Sequence, residues 1–413
     1  MMSSRTEMLD LIKARKQFFT LPQRFYSDPA FYELDLDLIF QRQWIFAGAV
    51  CEIASPGQYF TLTIGRTPII VLRDRAGEIR AFFNTCRHRG FKICDAERGK
   101  SLSLACPYHQ WTYDLSGKLL YAGRMHEGFD PSGIALKPIH VQTVEGMVFI
   151  CLAEKAPDFE SYRQALTPFL KPHNLANAKL AHEVSLVEKA NWKLVMENSR
   201  ECYHCGARHP ELMRTFLDYY NARDPENDPI IGPFWAKVRA AGLHCGMVNH
   251  HDFRINRLPF TEGATSITMD GQPAVSKLLG EIPHGDIGSV RWVHYPSTFN
   301  HVLGDYAVLI RMLPLGPLET QFTAKWLVSK DAEEGRDYDL KRLTEVWDET
   351  NRQDIALVER NQIGVNSLGY EPGPYSQVTE GGVINFVEWY CHTIENELGG
   401  KSAAPPMLVA VAS

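Results

Sequence analysis

The chain has 413 residues, enough for two domains and too many for one ordinary core. Hydrophobic residues make up 45% and charged residues 22%, the balance of a soluble globular protein. A formal net charge of −6 argues against the basic face of a nucleic-acid binder, and no apolar run approaches the roughly 20 residues needed to span a membrane.

The N-terminus, MMSSRTEMLDLIKARKQFF, is interrupted by charges and has no signal-peptide core, so a cytoplasmic location is expected. In that compartment the nine Cys read as free thiols or metal ligands rather than disulfides. Apolar residues recur at helical spacing through residues 1–39, a helical segment expected to pack on the second domain. Residues 40–155 carry short β-branched runs separated by Gly-containing turns, which predict an all-β domain of antiparallel strands. Residues 156–400 predict an α+β domain, an antiparallel sheet flanked by helices. Its helices are expected near 158–171, 191–217 and 337–365, with strands in SITMDGQPAVS and from Val290 to Ser329. Residues 401–413 read as a loosely held tail.

Two clusters carry chemistry. NTCRHRG and CPYHQW supply Cys86, His88, Cys106 and His109. Two thiolates with two imidazoles suit zinc or an iron–sulfur cluster. A structural zinc site more often pairs Cys with Cys and His with His, whereas each loop here offers one of each. Both Cys on one iron and both His on the other is the Rieske [2Fe–2S] pattern. Cys51 and Cys94, close by in sequence, read as ordinary buried thiols.

The second cluster is RECYHCGARHP. Glu201 and His204 would share a helical face. His204 and His209, five apart, reach one metal only if the helix bulges or ends near Cys205–Gly206. On a helix, Cys202 and Cys205 would point away from His204, which disfavours a local zinc cage. The missing carboxylate is expected from the late helix, where Leu343, Trp347, Asp354 and Val358 form a stripe that is apolar except for Asp354. An ion pair with an Arg is the competing reading for that Asp. His204, His209 and Asp354 together would make a 2-His-1-carboxylate iron site with open positions. Spacing leaves Glu201 open between a solvated side chain and a hydrogen-bond partner that orients His204.

Taken together, CRHRG…CPYHQWTYDLSGKLL, EKANWKLVMENSRECYHCGARHPEL and NRQDIALVERNQIGVNSLGYEPGPYS resemble the catalytic subunit of the Rieske non-haem iron oxygenases, over nearly the whole chain. Glu in ECYHC, with EPGPYS and ITMDG, is similar to the subgroup that acts on quaternary ammonium compounds. The resemblance implies a homotrimer in which Glu201 bridges His204 to His109 of the adjacent chain. It implies a [2Fe–2S] cluster, Fe(II) and O2 as co-substrate. It further implies monooxygenation of an N-methyl group, glycine betaine being the expected substrate, with N-demethylation and release of formaldehyde. Proline betaine, carnitine or an aromatic ring are the alternatives. The chain has no flavin or nicotinamide motif, so electrons are expected from NADH or NADPH through a separate flavin- or ferredoxin-type reductase. A permanent cation is held by aromatic faces. Tyr203, Phe253, Trp292 and Tyr295 are the candidates, with His251 and Asn300 for a substrate carboxylate.

Overall fold

The computed structural model describes residues 2–217 and 224–399. The tail at 401–413 lies outside the described residues. Both large sheets are seven-stranded and antiparallel between neighbours, and no described helix is long and apolar enough to cross a membrane.

The first sheet runs in the order Ile45–Ala49, Met147–Cys151, Pro138–Val144, Ile79–Phe83, Thr67–Arg73, Gln58–Ile64, Arg98–Lys100. The run PIIVL is apolar at consecutive positions, the pattern of a strand covered on both faces. Ile69 and Val71 enter the main core, while Ile70, Leu72 and Phe82 enter a smaller one beneath the two Cys/His loops. A three-stranded sheet, Leu104–Ala105, Thr112–Tyr113 and Leu119–Tyr121, holds the second of those loops.

The second sheet runs Ala178–Glu188, Glu319–Ser329, Tyr306–Gly316, Thr298–Val302, Ser289–His294, Phe253–Leu258, Met247–Asn249. Its two faces bury alternate residues, as a period of two requires. Val308, Ile310 and Met312 meet the helices Trp192–Ser199, Leu340–Val365 and Gly381–Gly399. Ala307 and Leu309 pack with the helix Glu160–Leu170 and with Phe46 and Phe149 of the first sheet. The N-terminal segment is tied to the helical layer by buried polar contacts. Tyr26 donates to Glu197 at 2.8 Å, and Asp35 accepts from Trp192 at 2.9 Å and Tyr390 at 2.7 Å while pairing with Lys193.

Two expectations are corrected. The helix predicted near 191–217 stops at Ser199 and resumes only as the short turns Cys205–Arg208 and Leu212–Arg214. Residues SITMDGQPAVS form no strand. Thr268 bonds Asp270 at 3.0 Å and the Gln272 carbonyl at 2.7 Å, and Gln272 N–H bonds Asp270 at 3.0 Å, so side chains satisfy the backbone in place of a sheet partner. The helices Ile231–Ala240 and Gly381–Gly399 and the strands Met247–Asn249 and Phe253–Leu258 were not anticipated. Gly381–Gly399 is apolar on most faces, so it shows little helical periodicity.

Candidate metal centres and active site

The two Cys/His loops close in the same way. Cys86 N–H bonds Phe91 carbonyl at 2.8 Å, and Gly90 N–H bonds Cys86 carbonyl at 2.9 Å. Cys106 N–H bonds Trp111 carbonyl at 2.8 Å, and Gln110 N–H bonds Cys106 carbonyl at 3.0 Å. The fifth residue of each loop is left-handed, Gly90 at φ 77° and Gln110 at φ 59°, which turns the chain back sharply. Both Cys side chains are buried, with the Tyr113 hydroxyl 3.3 Å from Cys86 Sγ. The imidazoles lie outward: His88 stacks on Trp111 with centroids 4.8 Å apart, and its centroid is 4.6 Å from that of His109. Two sulfurs inside and two ring nitrogens toward the surface suit a two-iron cluster whose exposed edge is the His side.

The second centre forms where the helix Trp192–Ser199 ends. His204 and His209 flank the single turn Cys205–Arg208, and that break brings both rings to one point. The helix Leu340–Val365, capped by Asp339 on Arg342 N–H, carries Leu343, Trp347, Asp354 and Val358 along one side. His204 Nε2 lies 3.0 Å from His209 Nε2 and 3.3 Å from Asp354 Oδ1, and His209 Nε2 lies 3.1 Å from Asp354 Oδ1. Ligands at right angles on bonds of about 2.1 Å are about 3.0 Å apart, so this triangle matches one face of an octahedron.

Hydrogen bonding sets the tautomers. His204 Nδ1 donates to Glu201 Oε1 at 2.5 Å, and His209 Nδ1 donates to Gln353 Oε1 at 2.7 Å. Both Nε2 atoms thereby face one another and Asp354 Oδ1, three donor atoms that one cation can bridge. Burial works to lower the His204 pKa, but the carboxylates of Asp354 and Glu201, which accept hydrogen bonds from the ring, outweigh it and raise it to about 9. Burial would raise Asp354, yet its two His partners hold it below the usual carboxylate range. Asn198 adds a donor 3.2 Å from Asp354 Oδ1. The residues present therefore fit an iron with open positions.

Two families match this chain: the ring hydroxylating alpha subunit (catalytic domain) over residues 175–396 and the Rieske [2Fe-2S] domain over residues 43–139. The chain belongs to the Rieske non-haem iron oxygenases, as a catalytic alpha subunit. This Rieske oxygenase is 45% identical over 410 residues to the glycine betaine monooxygenase oxygenase subunit of Pseudomonas aeruginosa, covering 97% of this chain and 95% of that one. It is 32% identical over 202 residues to the carnitine monooxygenase oxygenase subunit of Acinetobacter pittii, covering 46% of this chain and 53% of the relative. In fold it is similar to the quaternary ammonium Rieske monooxygenase CntA in complex with L-carnitine, with a TM-score of 0.72, 23% identity, and coverage of 93% of this chain and 98% of that one.

Glu201 is not on a helix with His204, as its spacing had suggested. It lies in the turn, where Oε2 accepts the N–H groups of Tyr203 and His204, so the same carboxylate shapes the turn and holds the ring. Cys202 and Cys205 are corrected as well. Without a helix the turn faces both toward the site, Cys205 Sγ 3.9 Å from His204 Nε2, and they form a disulfide with Cα atoms 4.9 Å apart. The expectation of free thiols or metal ligands rather than disulfides fails at this pair.

A chamber beside the iron position is walled by Val195, Phe216, Phe299, His301, Phe322 and Trp347, with Glu188 also lining it. Burial, then the charges of Asp354 and Glu359, push the Glu188 carboxyl up to about 8. His301 is kept neutral by burial and by Arg291 and Arg200, which hold its pKa well below the ordinary value. Sequence reasoning missed Gln353, Asn198, Phe299, His301 and these Arg, none of which stands out by spacing.

Most of the proposed substrate contacts lie elsewhere. Phe253 and Trp292 occupy the sheet face opposite the chamber, in the core with Phe169 and Leu309. Trp292 and Asn300 border a neighbouring cavity, but the Asn300 amide is engaged by Thr298 Oγ1 at 2.9 Å and Ile310 N–H at 3.0 Å. Tyr295 packs on Trp389, centroids 5.0 Å apart. Tyr203 is 64% exposed. His251 lies in the turn His250–Asp252, 4.0 Å from the Asp252 carboxylate, and lines neither chamber.

Proposed function

We propose that this Rieske oxygenase hydroxylates an N-methyl group of a small quaternary ammonium compound, glycine betaine foremost, and so removes the methyl as formaldehyde. The observation that carries the reading is the 45% identity, along 97% of the chain, to a glycine betaine monooxygenase oxygenase subunit. The overall reaction places one atom of O2 on the methyl carbon and releases the other as water, consuming two electrons and two protons. The N-hydroxymethyl product then breaks its C–N bond to give formaldehyde, the demethylated amine and a proton.

Bound iron supplies oxygen activation, and the Rieske cluster supplies electrons one at a time. In this reading Cys86 and Cys106 hold one cluster iron and His88 and His109 the other. His204, His209 and Asp354 hold the mononuclear iron. Glu201 and Gln353 keep the two imidazoles in the tautomer that presents Nε2. Phe299 and Trp347 offer ring faces to the quaternary nitrogen, each worth roughly 0.5–2 kcal/mol depending on desolvation.

The electrons come from NADH or NADPH through a separate flavin- or ferredoxin-type reductase, and reduced nicotinamide places the reaction in the cytoplasm. Assembly as a homotrimer would set His109 of one subunit against Glu201 of the next. Exposed apolar side chains support such a contact: Phe91 and Tyr108 stand beside the cluster loops, and Tyr203 stands beside Glu201. The test supplies the iron-loaded protein with a reductase, NADH and a panel of betaines, carnitine and neutral aromatics. Formaldehyde formed in proportion to a betaine is expected. No formaldehyde from any quaternary ammonium compound, or a hydroxylated aromatic alone, rejects the reading.

A further inference from the structure

The hairpin at the edge of the second sheet carries a cluster of donors that the iron chemistry leaves unused. Its strands Met247–Asn249 and Phe253–Leu258 pair Asn249 with Arg254, and the chain reverses through His250, His251 and Asp252. His250 N–H bonds the Phe253 carbonyl at 2.8 Å, and Tyr295 N–H bonds the Asp252 carbonyl at 2.8 Å, so the turn is pinned both to its own strand and to the end of the next. The Phe253 side chain is buried and anchors the turn, with the His250 ring stacked on it, centroids 4.5 Å apart.

Three side chains meet at this turn. His250 Nδ1 donates to Asp252 Oδ1, His251 Nδ1 lies 4.0 Å from the same oxygen, and the two rings have centroids 4.2 Å apart. One nitrogen or oxygen from each of the three falls within 4.8 Å of the others. Donors on tetrahedral bonds of 2.0–2.1 Å sit about 3.4 Å apart, a span that small rotations of these partly exposed side chains reach. A third imidazole, His294, pairs with Phe253 from the next strand and is 4% exposed. Among the described residues its Nδ1 has no hydrogen-bond partner. Burial keeps His294 neutral, its pKa lowered to about 4, and the charges that bear on it are those of Asp252, His250 and His251. Burial also lowers the His251 pKa. Burial would raise Asp252, but the hydrogen bond from His250 and the charges of His294 and His251 hold it below the usual carboxylate range. Neutral imidazoles beside an ionised carboxylate are in the protonation states that a metal ion requires.

We infer that this turn is a second metal site, for a divalent transition ion of the zinc class, with His250, His251 and Asp252 as ligands and His294 as the buried imidazole behind them. Imidazole nitrogens with one carboxylate oxygen favour zinc, copper or nickel over magnesium and calcium, which prefer all-oxygen sites. An ion pair accounts for His250 with Asp252 and leaves His251 and His294 without a task. None of the four residues lines the iron chamber, so the site is separate from His204, His209 and Asp354, and the inference does not depend on the substrate.

The experiment dialyses the iron-loaded full chain against zinc chloride, counts zinc and iron by metal analysis and reads zinc affinity by calorimetry. Wild type should take up close to one zinc per chain with its iron content unchanged, and zinc should raise its melting midpoint. His251→Ala and Asp252→Asn should each weaken zinc binding 10-fold or more, at least the loss that follows removal of an outer partner of a metal ligand. The His251 side chain is 45% exposed, so its variant should melt like wild type without zinc, which separates loss of a ligand from loss of the fold. Zinc that enters only in exchange for iron overturns the inference, because the iron triad is then its seat. Zinc uptake that persists unchanged in both variants overturns it as well.

Discussion

Glu201→Gln is a change of one atom with a cost that follows from the turn. The carboxylate has two acceptor oxygens and three donors to serve: the His204 ring N–H at 2.5 Å, the His204 amide at 3.3 Å and the Tyr203 amide. Gln retains one oxygen. If that oxygen stays on the amides, its NH2 faces another N–H at Nδ1. The ring must then turn, or move its proton to Nε2, the atom 3.0 Å from His209 Nε2 and 3.3 Å from Asp354. Either outcome forfeits one hydrogen bond to a charged group, about 1.5–3 kcal/mol. At about 1.4 kcal/mol per factor of ten this is roughly 10- to 150-fold in iron retention, which agrees with the 10- to 100-fold known for partners of metal ligands. The assay titrates iron-loaded variant and wild type with a ferrous chelator and follows mononuclear iron by metal analysis, while the visible spectrum reports the cluster. At saturating iron the variant should still transfer electrons more slowly from cluster to iron in a single turnover. Iron retention within about twofold of wild type would refute the orienting role, and unchanged electron transfer would refute the bridging role.

His204→Ala should abolish turnover and leave the red-brown cluster spectrum intact, whereas Cys86→Ala should lose that colour; the reverse pattern would reject the ligand assignment. Cys202→Ser with Cys205→Ser removes the disulfide and should keep mononuclear iron at the wild-type level, because neither sulfur belongs to the triad; loss of iron would place a sulfur in the ligand set. Glu197 is buried, and its acid is pushed up to about 7 from an ordinary 4.5, burial outweighing the hydrogen bonds from Tyr26 and Tyr375. Its folded form holds the proton more tightly, so the stabilisation is full below pH 4.5 and is lost as pH rises through 7. The difference, 7 − 4.5, corresponds to about 3 kcal/mol. Glu197→Gln should flatten the fall in thermal midpoint between pH 5 and about 7, read at fixed protein concentration. Parallel pH profiles for variant and wild type would show that Glu197 does not carry it.

The metal chemistry was legible in the sequence because it is written locally. Cys-x-His and Cys-x-x-His are short loops, and their spacing alone brings four donors to two adjacent turns. His204 and His209 were legible as a pair, though not how they meet, since helical spacing keeps them apart and only the end of the helix at Ser199 brings both rings together. Asp354, 145 residues from His209, announced itself as the one polar member of an apolar stripe, a signal that helical periodicity preserves over any distance in the chain.

The pocket was decided by tertiary structure. Phe253 and Trp292 looked like cage residues by type, and Arg254 and Arg291 stand next to them in the chain. In a strand, neighbours face opposite sides, and nothing within the strand says which side will meet the iron. The pairing of Phe253–Leu258 with Ser289–His294 and of that strand with Thr298–Val302 settles it, turning the aromatic side chains into the core and the guanidiniums toward the site. The sequence determined which atoms could bind iron; the register of three strands, the first of which pairs with residues 31–41 positions further along the chain, determined what surrounds it.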